Sequence, residues 1–193
     1  MDHEGYMRQA LALAREAAEC GEVPVGCVIV RDGQVIGRGR NRREEKQHTG
    51  SHAEMEAICQ ANEALGTWRL DDCTLYVTLE PCPMCAGAIL NARIPRVYYG
   101  ARDREMGACG GVLNLFMEGF PRPPQLVGNV CGDECRDVLQ TFFREVREKN
   151  ADKTWFAYSE KEKADIVRQL EGKKFTVQRS KGLGENDPEM MWL

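Results

Sequence analysis

Ser51-His52-Ala53-Glu54 and Pro81-Cys82-Pro83-Met84-Cys85 are the two stretches around which the chain is organised. One imidazole and two thiols supply three of the four ligands of a tetrahedral zinc site, and a fourth position left open is typical of catalytic zinc. Water bound at such a position loses a proton near neutral pH. Glu54 lies two residues after the histidine and is placed to accept that proton as a general base. The two stretches therefore predict a catalytic zinc site.

Each stretch also has an alternative interpretation. Ser51 and Glu54 match a capping box, in which the glutamate only fixes the start of a helix. A single CxxC pair is more often a redox pair or half of a structural zinc site. However, the chain has no second CxxC pair to complete a structural site. Both stretches also open a predicted helix, whose positive N-terminus favours thiolate at a metal. We therefore prefer the catalytic interpretation.

Composition limits the class of protein. The length of 193 residues fits one ordinary domain with a remainder. The net charge of −4 argues against a general polyanion binder, so a nucleic-acid partner would need a local basic patch. The polar start Met1-Asp2-His3-Glu4 is unlike a signal segment, and no apolar run is long enough to span a membrane. The odd count of nine cysteines predicts free thiols in a reducing cytoplasm.

Strand and helix patterns alternate along the first 150 residues. This alternation predicts an α/β sandwich with helices on both faces of the sheet. Residues 101–120 are glycine-rich and are predicted to be irregular. The predicted helices cover residues 6–19, 53–65, 83–92 and 133–149, and the predicted strands cover residues 23–30, 34–38, 74–79, 96–100 and 126–127, with an Asp32-Gly33 hairpin turn.

A domain boundary is predicted near Asn150-Ala151. Residues 1–150 form the predicted zinc-dependent domain, and residues 151–193 form a C-terminal tail. Within the tail, the patterns predict a helix from Ser159 to about Leu170 and a strand from Phe175 to Gln178. A segment of this length is too short to bury a core of its own.

Residues 1 to about 149 resemble the bacterial tRNA-specific adenosine deaminases. The general pattern His-x-Glu…Pro-Cys-x-x-Cys is a known signature of zinc deaminases. One departure is the Phe120–Pro124 loop, which replaces an Asn-His pair found in many members and bears on loop geometry and RNA contacts. The resemblance rests on Val23-Pro24-Val25-Gly26, Asn41, His52-Ala53-Glu54, Trp68-Arg69-Leu70, Thr74–Ile89, Gly100-Ala101-Arg102-Asp103 and Phe142-Phe143-Arg144.

The resemblance implies the cytidine-deaminase-like fold, a three-layer sandwich with a five-stranded mixed sheet, and a homodimer. It implies hydrolysis of adenosine to inosine at the wobble position of a tRNA anticodon. Glu54 would shuttle the proton from water to the ring and then to the leaving amine. The implied zinc ligands are His52, Cys82 and Cys85, the implied contacts to the flipped base are Asn41 and the main chain at Ala53, and the implied neighbours of the anticodon loop are Arg102, Asp103, Phe142, Phe143 and Arg144.

Some alternatives remain open at this point. A small-molecule deaminase of the same fold could act on guanine, cytosine or a nucleotide, and a non-catalytic module could hold a structural zinc. The basic loop from Arg38 to Arg43 favours RNA, whereas the overall acidity is a mild argument against it. Phe142 could also be an ordinary core residue. Glu54 argues against the non-catalytic module, because a purely structural site does not need it.

The tail is similar to a different protein. Residues 151–193, with Gln178–Glu185 and Met191-Trp192, resemble part of the TOPRIM region in the B subunit of DNA gyrase. The tail lacks the acidic metal-binding cluster of that region, so no topoisomerase activity and no independent function are expected. A fused fragment is the preferred interpretation, and an interaction arm is the alternative.

Overall fold

The computed structural model describes residues 2–150, together with residues 161 and 168. The five strands of the sheet follow the order β2-β1-β3-β4-β5. β1 pairs antiparallel with β2 and β3, and β4 pairs parallel with β3 and β5. The elements are α1 His3–Glu19, β1 Gly26–Arg31, β2 Gln34–Arg40, α2 Arg43–Lys46, α3 Ala53–Leu65, β3 Thr74–Leu79, α4 Pro83–Ala92, β4 Arg96–Ala101, a short 3-10 helix Leu115–Met117, β5 Gln125–Val127 and α5 Gly132–Asn150.

Alternating side chains of the central strands divide the core into two halves. On β1, Cys27 and Ile29 belong to the core that contains residues of α3 and α4. Val28 and Val30 belong to the opposite core, which contains residues of α1 and α5. Side chains alternate between the two faces of a strand, so these two cores are the two sides of one sheet. The predicted three-layer α/β sandwich with a five-stranded mixed sheet is confirmed.

Helix α3 lies very close to the edge strand β2. A Cβ atom added to Gly39 would lie 2.1 Å from the carbonyl oxygen of Ala53, and one added to Gly37 would lie 2.3 Å from that of Ala57. Real Cβ atoms do not approach backbone this closely, because the atoms would overlap. The two glycines therefore fix how near the first turn of α3 lies to the sheet.

Some element boundaries differ from the predicted ones. Strand β1 begins at Gly26 rather than at Val23, since Pro24 has no N–H to donate to a ladder. The Arg43–Lys46 helix was not predicted. The Asp32-Gly33 turn is confirmed, with φ angles of 50° and 78° at the two residues. On α5, Phe143 is 37% exposed, so it does not belong to the core.

The chain divides into two units between Glu148 and Lys149. Within the described residues, no helix is both long and apolar enough to cross a membrane. The predicted helix at residues 159–170 lies outside the described residues except for residues 161 and 168, and the predicted strand at residues 175–178 lies outside them entirely.

Candidate metal centre

The starts of two helices bring the predicted metal ligands together. His52 immediately precedes α3 and Cys82 immediately precedes α4, and neither helix start has a side-chain cap. Cys85 lies in the first turn of α4. Pro83 occupies a first-turn position, where its missing N–H costs nothing. Both helices therefore direct unpaired N–H groups and the positive end of their dipoles towards the same cluster.

The three ligand atoms have the spacing of a tetrahedral metal site. His52 Nδ1 lies 3.7 Å from Cys82 Sγ and 3.6 Å from Cys85 Sγ, and the three atoms lie within 4.8 Å of one another. Bonds of about 2.3 Å to sulfur and about 2.0–2.1 Å to nitrogen place these atoms about 3.6 Å apart around tetrahedral zinc. The cluster therefore fits zinc. Within the described residues it is the only such group of three or more candidate ligands.

The metal-free cluster already stabilises one thiolate. Hydrogen bonds from the Cys85 thiol and from His52 lower the pKa of Cys82 to about 4, helped by the backbone N–H of Cys85. The pKa of Cys85 is raised, because its proton bonds to the Cys82 sulfur and because the thiol is buried. The hydrogen bond to Cys82 also raises the pKa of His52. A cation bound between the two sulfurs would replace the proton that they share.

Glu54 lies beside this cluster and is only 4% exposed. Burial raises the pKa of its carboxyl group to about 7, and the negative charge of Cys82 adds to this effect. The capping-box interpretation is wrong, because His52 is the N-cap of α3 and no side chain caps the helix. Ser51 Oγ instead lies 3.4 Å from His48 Nδ1. Glu54 is therefore a buried acid whose pKa suits proton transfer near neutral pH.

Asn41 follows the end of β2 and is 8% exposed. Its Nδ2 atom lies 3.3 Å from Glu22 Oε2. Its main chain continues into Arg42, whose N–H donates to the carbonyl of Ser51 at 3.0 Å, just before the metal-ligand stretch. Glu22 was not predicted as a functional residue. It is 1% exposed, and its partner Asn41 lies 19 positions away, beyond the reach of local patterns.

Glu80 is a second residue that the sequence did not single out. It is 2% exposed. Its Oε1 atom accepts the backbone N–H groups of Cys109 at 2.9 Å and Gly111 at 2.7 Å, and its Oε2 atom accepts that of Asp103 at 3.1 Å. A Cβ atom on Gly107 would lie 2.6 Å from its Cδ atom. The glycine-rich segment after β4 therefore wraps around one carboxylate.

The residues predicted near an anticodon loop lie in two segments. Arg102 and Asp103 follow β4. Arg102 is exposed and donates to the carbonyl of Gly110. Asp103 Oδ1 accepts the backbone N–H groups of Glu105 at 2.9 Å and Met106 at 3.0 Å, so this carboxylate shapes its own turn.

The other three residues lie on α5. Phe143 is 37% exposed, and Arg144 is also exposed. Phe142 is half-buried, with its ring 5.4 Å from that of Phe143. Two of the three side chains are therefore accessible to a partner.

The chain is similar to a known protein family and to several solved structures. The MafB19-like deaminase model matches residues 1–147. The tRNA-specific adenosine deaminase of Bacillus subtilis (strain 168) is 48% identical over 147 residues, covering 76% of this chain and 91% of that protein. A structure from a study of A-to-I editing by tRNA:A34 deaminases at the wobble position of transfer RNA is 44% identical, with a TM-score of 0.68, covering 70% of this chain and 99% of that one. The guanine deaminase of Bacillus subtilis is 41% identical, with a TM-score of 0.52, covering 61% of this chain and 74% of that one.

The mixed five-stranded sheet, the His/Cys/Cys cluster and the buried Glu54 define a deaminase of the cytidine-deaminase-like class. The chain belongs to the MafB19-like deaminase family and, within it, to the tRNA-specific adenosine deaminases.

Proposed function

We propose that this protein hydrolyses adenosine to inosine at the wobble position of a tRNA anticodon, releasing ammonia. The observation that carries the proposal is the cluster of His52, Cys82 and Cys85 beside the buried acid Glu54. The identity to a tRNA-specific adenosine deaminase over 91% of that protein supports the choice of substrate. The proposal covers residues 1–150, and it assigns no function to residues 151–193.

The three ligands of the cluster are proposed to hold one zinc ion per chain. Zinc bound in this way lowers the pKa of a water molecule to near 7. The spacing of the ligand atoms and the stabilised Cys82 thiolate support this assignment.

Glu54 is the proposed proton carrier. Burial raises the pKa of its carboxyl group, and a raised carboxyl pKa suits a group that both accepts and releases a proton near neutral pH. It would take a proton from the attacking water and pass it to N1 of the purine ring as oxygen adds to C6. It would then take the remaining proton of the added hydroxyl group and deliver it to the leaving amine, so that C6 keeps a carbonyl oxygen. The atoms balance, since water and adenosine give inosine and ammonia.

Asn41 and the main chain at Ala53 are proposed to hold the flipped base. Ala53 is the first residue of α3, and its backbone lies at a helix start without a side-chain cap. An N–H group in this position is available to a polar atom of a ligand. Asn41 supplies an amide, which can both donate and accept hydrogen bonds at a base edge.

Arg102, Asp103, Phe142, Phe143 and Arg144 are proposed to lie near the anticodon loop. Unstacked bases and phosphates of such a loop are recognised by aromatic and arginine side chains. The exposure of Arg102, Phe143 and Arg144 supports this role. For Asp103 we propose an indirect role, because its carboxylate is bonded to its own turn.

A homodimer is part of the proposal. Several exposed apolar side chains lie between residues 106 and 120, and exposed apolar side chains are needed for an interaction surface. The stretch includes Met106 (58% exposed), Val112 (59%), Leu113 (41%), Met117 (80%) and Phe120 (47%). Light scattering on the purified protein would test the dimer, and a monomer at micromolar concentration would contradict it.

The cytoplasm is the proposed location, because tRNA is modified there and because none of the nine cysteines, all of which lie in the described residues, forms a disulfide. Reducing conditions keep such thiols from pairing. Localisation of a tagged protein by fractionation would test this part of the proposal.

The decisive experiment uses a short anticodon stem-loop with adenosine at the wobble position. Mass spectrometry of the digested RNA should show inosine at that position, and Glu54→Gln should form it at least about 100-fold more slowly under the same conditions. Free adenosine, guanine and cytosine are tested in parallel. Release of ammonia from a free base or nucleoside at a rate equal to that on the stem-loop would instead support a small-molecule deaminase.

A further inference from the structure

Glu22 is a buried carboxylate that the proposed chemistry does not use. It is 1% exposed and lies just after the turn that ends α1. Its two oxygens have different partners. Oε1 accepts the backbone N–H of Glu45 at 2.7 Å, and Oε2 lies 3.3 Å from Asn41 Nδ2. This one side chain therefore connects the start of the catalytic domain with Asn41 and with α2.

The chemistry of the two groups fixes the orientation of Asn41. A carboxylate only accepts hydrogen bonds, whereas an amide has a donating end and an accepting end. The NH₂ end of Asn41 must therefore face Glu22, as the structure shows. Among the described residues, no donor lies on Asn41 Oδ1. The side chain therefore presents an accepting oxygen to which no other described residue donates.

We propose that Glu22 is a positioning residue that determines base specificity by fixing the Asn41 amide. This inference rests on the proposed role of Asn41 in holding the base. A base that directs an N–H group at Oδ1 gains a hydrogen bond, and one that directs a carbonyl oxygen there meets a second acceptor. Adenine carries an amino group on its six-membered ring where guanine carries a carbonyl oxygen. Glu22 therefore favours the amino-bearing purine.

Replacing Glu22 by glutamine should reverse the orientation of the Asn41 side-chain amide, and the reason is geometric. The backbone N–H of Glu45 cannot turn around, so the introduced glutamine must keep its oxygen there. The NH₂ group of the glutamine then faces Asn41. Asn41 must rotate its amide so that Oδ1 accepts this new donor, and it then directs its own NH₂ group at the base. The packing volume is unchanged, but the hydrogen-bond pattern that the base meets is inverted.

The test compares four variants on the wobble-adenosine stem-loop. Glu22→Gln should lower kcat/KM about 10- to 100-fold, the effect of one mismatched buried hydrogen bond. Asn41→Asp should lower it at least as much, because two carboxylates then face each other. The double variant Glu22→Gln with Asn41→Asp should recover at least about tenfold over Asn41→Asp alone, since the glutamine amide donates to one oxygen of the aspartate and the other oxygen again faces the base. Glu19→Gln is the matched control, because Glu19 is exposed on α1 and should change kcat/KM less than about twofold.

Recovery of kcat/KM in the double variant distinguishes a positioning role of Glu22 from a purely structural one. Melting temperature and metal content are measured for each variant, and a role limited to stability predicts additive losses without recovery. A double variant no better than Asn41→Asp, or a Glu22→Gln variant within twofold of wild type, would overturn the proposal. If Glu22→Gln does not fold, Glu22→Asp takes its place. Glu22→Asp keeps an acceptor-only partner, so it should lower kcat/KM without changing the ratio between wobble adenosine and wobble 2,6-diaminopurine, and a changed ratio would overturn the proposal.

A second readout does not depend on turnover. In ¹H–¹⁵N NMR spectra, one Asn41 side-chain N–H should be shifted downfield by the carboxylate in the wild type and should lose this shift in Glu22→Gln. An unchanged Asn41 side-chain resonance would overturn the inference even where the enzyme is active. A wild-type protein that makes no inosine would refute the proposed function, and the NMR comparison would still decide how Asn41 is held.

Discussion

Glu54 and Glu80 are two buried glutamates, each two residues from a candidate metal ligand, but their surroundings differ. Three backbone N–H groups donate to the carboxylate of Glu80. The carboxyl group of Glu54 is governed by burial, which raises its pKa to about 7. Both glutamates are buried, so burial alone does not determine their roles. The carboxylate of Glu80 organises a loop through its backbone donors, whereas the raised pKa of Glu54 suits proton transfer near neutral pH.

The metal cluster beside Glu54 should show the largest effect of a single change. Replacement of a ligand thiolate, Cys82→Ser, should weaken zinc binding more than about 100-fold, because the hydroxyl does not ionise at neutral pH. Metal analysis after gel filtration measures this loss. Cys59→Ser is the control, since Cys59 is exposed on α3. Stoichiometric zinc in the Cys82→Ser protein would refute the proposed ligand set.

Glu54 should be required for turnover but not for folding. Glu54→Gln should lower the rate of inosine formation by about 10²- to 10⁴-fold, the usual contribution of a general acid or base. Single-turnover assays with saturating enzyme measure the chemical step directly. Zinc content and melting temperature should stay at least at the wild-type level. Turnover within tenfold of wild type would show that Glu54 does not carry the proton.

The raised pKa of Glu54 also predicts how the stability of the metal-free protein depends on pH. The folded state binds this proton more tightly than the unfolded chain, because the pKa rises from 4.5 to about 7 on folding. The stabilising contribution is complete below pH 4.5 and is lost as the pH rises through about 7. Relative to wild type, Glu54→Gln should therefore gain about 3 kcal/mol in free energy of unfolding between pH 4.5 and pH 8. Urea denaturation of both metal-free proteins tests this, and a pH-independent difference would contradict it.

Replacing Glu80 should lower the free energy of unfolding, whereas replacing Glu54 should raise it relative to wild type as the pH rises above 4.5. In Glu80→Gln, an NH₂ group replaces one accepting oxygen, so at least one backbone N–H among Asp103, Cys109 and Gly111 loses its partner. The expected loss is about 1–3 kcal/mol in free energy of unfolding. Urea denaturation measures it, with Glu118→Gln as a control at an exposed position. Equal stability of the two variants would mean that the loop does not depend on this carboxylate.

The smallest effect is expected at the other end of the chain. A protein that ends after Asn150 should keep kcat/KM on the stem-loop within about twofold, because the candidate metal ligands, Glu54 and Asn41 all precede that residue. A much larger loss would show that the tail supports the dimer or the RNA surface. It would also extend the functional unit beyond residues 1–150.

The sequence predicted those parts of the molecule that depend on local patterns. The bounds of α3, β3 and α4 agree with the prediction, because each combines a clear periodicity with a cap or a break, such as Gly66 after α3. The cluster of His52, Cys82 and Cys85 was predictable because the chemistry of zinc restricts both the residue types and their spacing.

The features that were missed depend on contacts between distant segments. Glu22 and its partner Asn41 are 19 positions apart, and Glu80 and Cys109 are 29 positions apart. Nothing in the local sequence marks either glutamate as buried, since isolated acidic residues are usually exposed. The glycines at positions 107 and 111 were a visible signal of a tightly packed loop, but they did not reveal which group the loop surrounds.

The close contact between β2 and α3 means that a substitution at Gly39, outside the proposed site, would displace the start of α3. A methyl group at Gly39 would meet the carbonyl of Ala53, the residue between His52 and Glu54, at 2.1 Å. Relieving that overlap means displacing the helix start by roughly an ångström, whereas ligand distances in a metal site tolerate only about 0.2 Å. Gly39 has no functional group and takes no part in the reaction. The absence of a side chain at Gly39 nevertheless allows the start of α3 to hold His52 and Glu54 at the positions that the site requires.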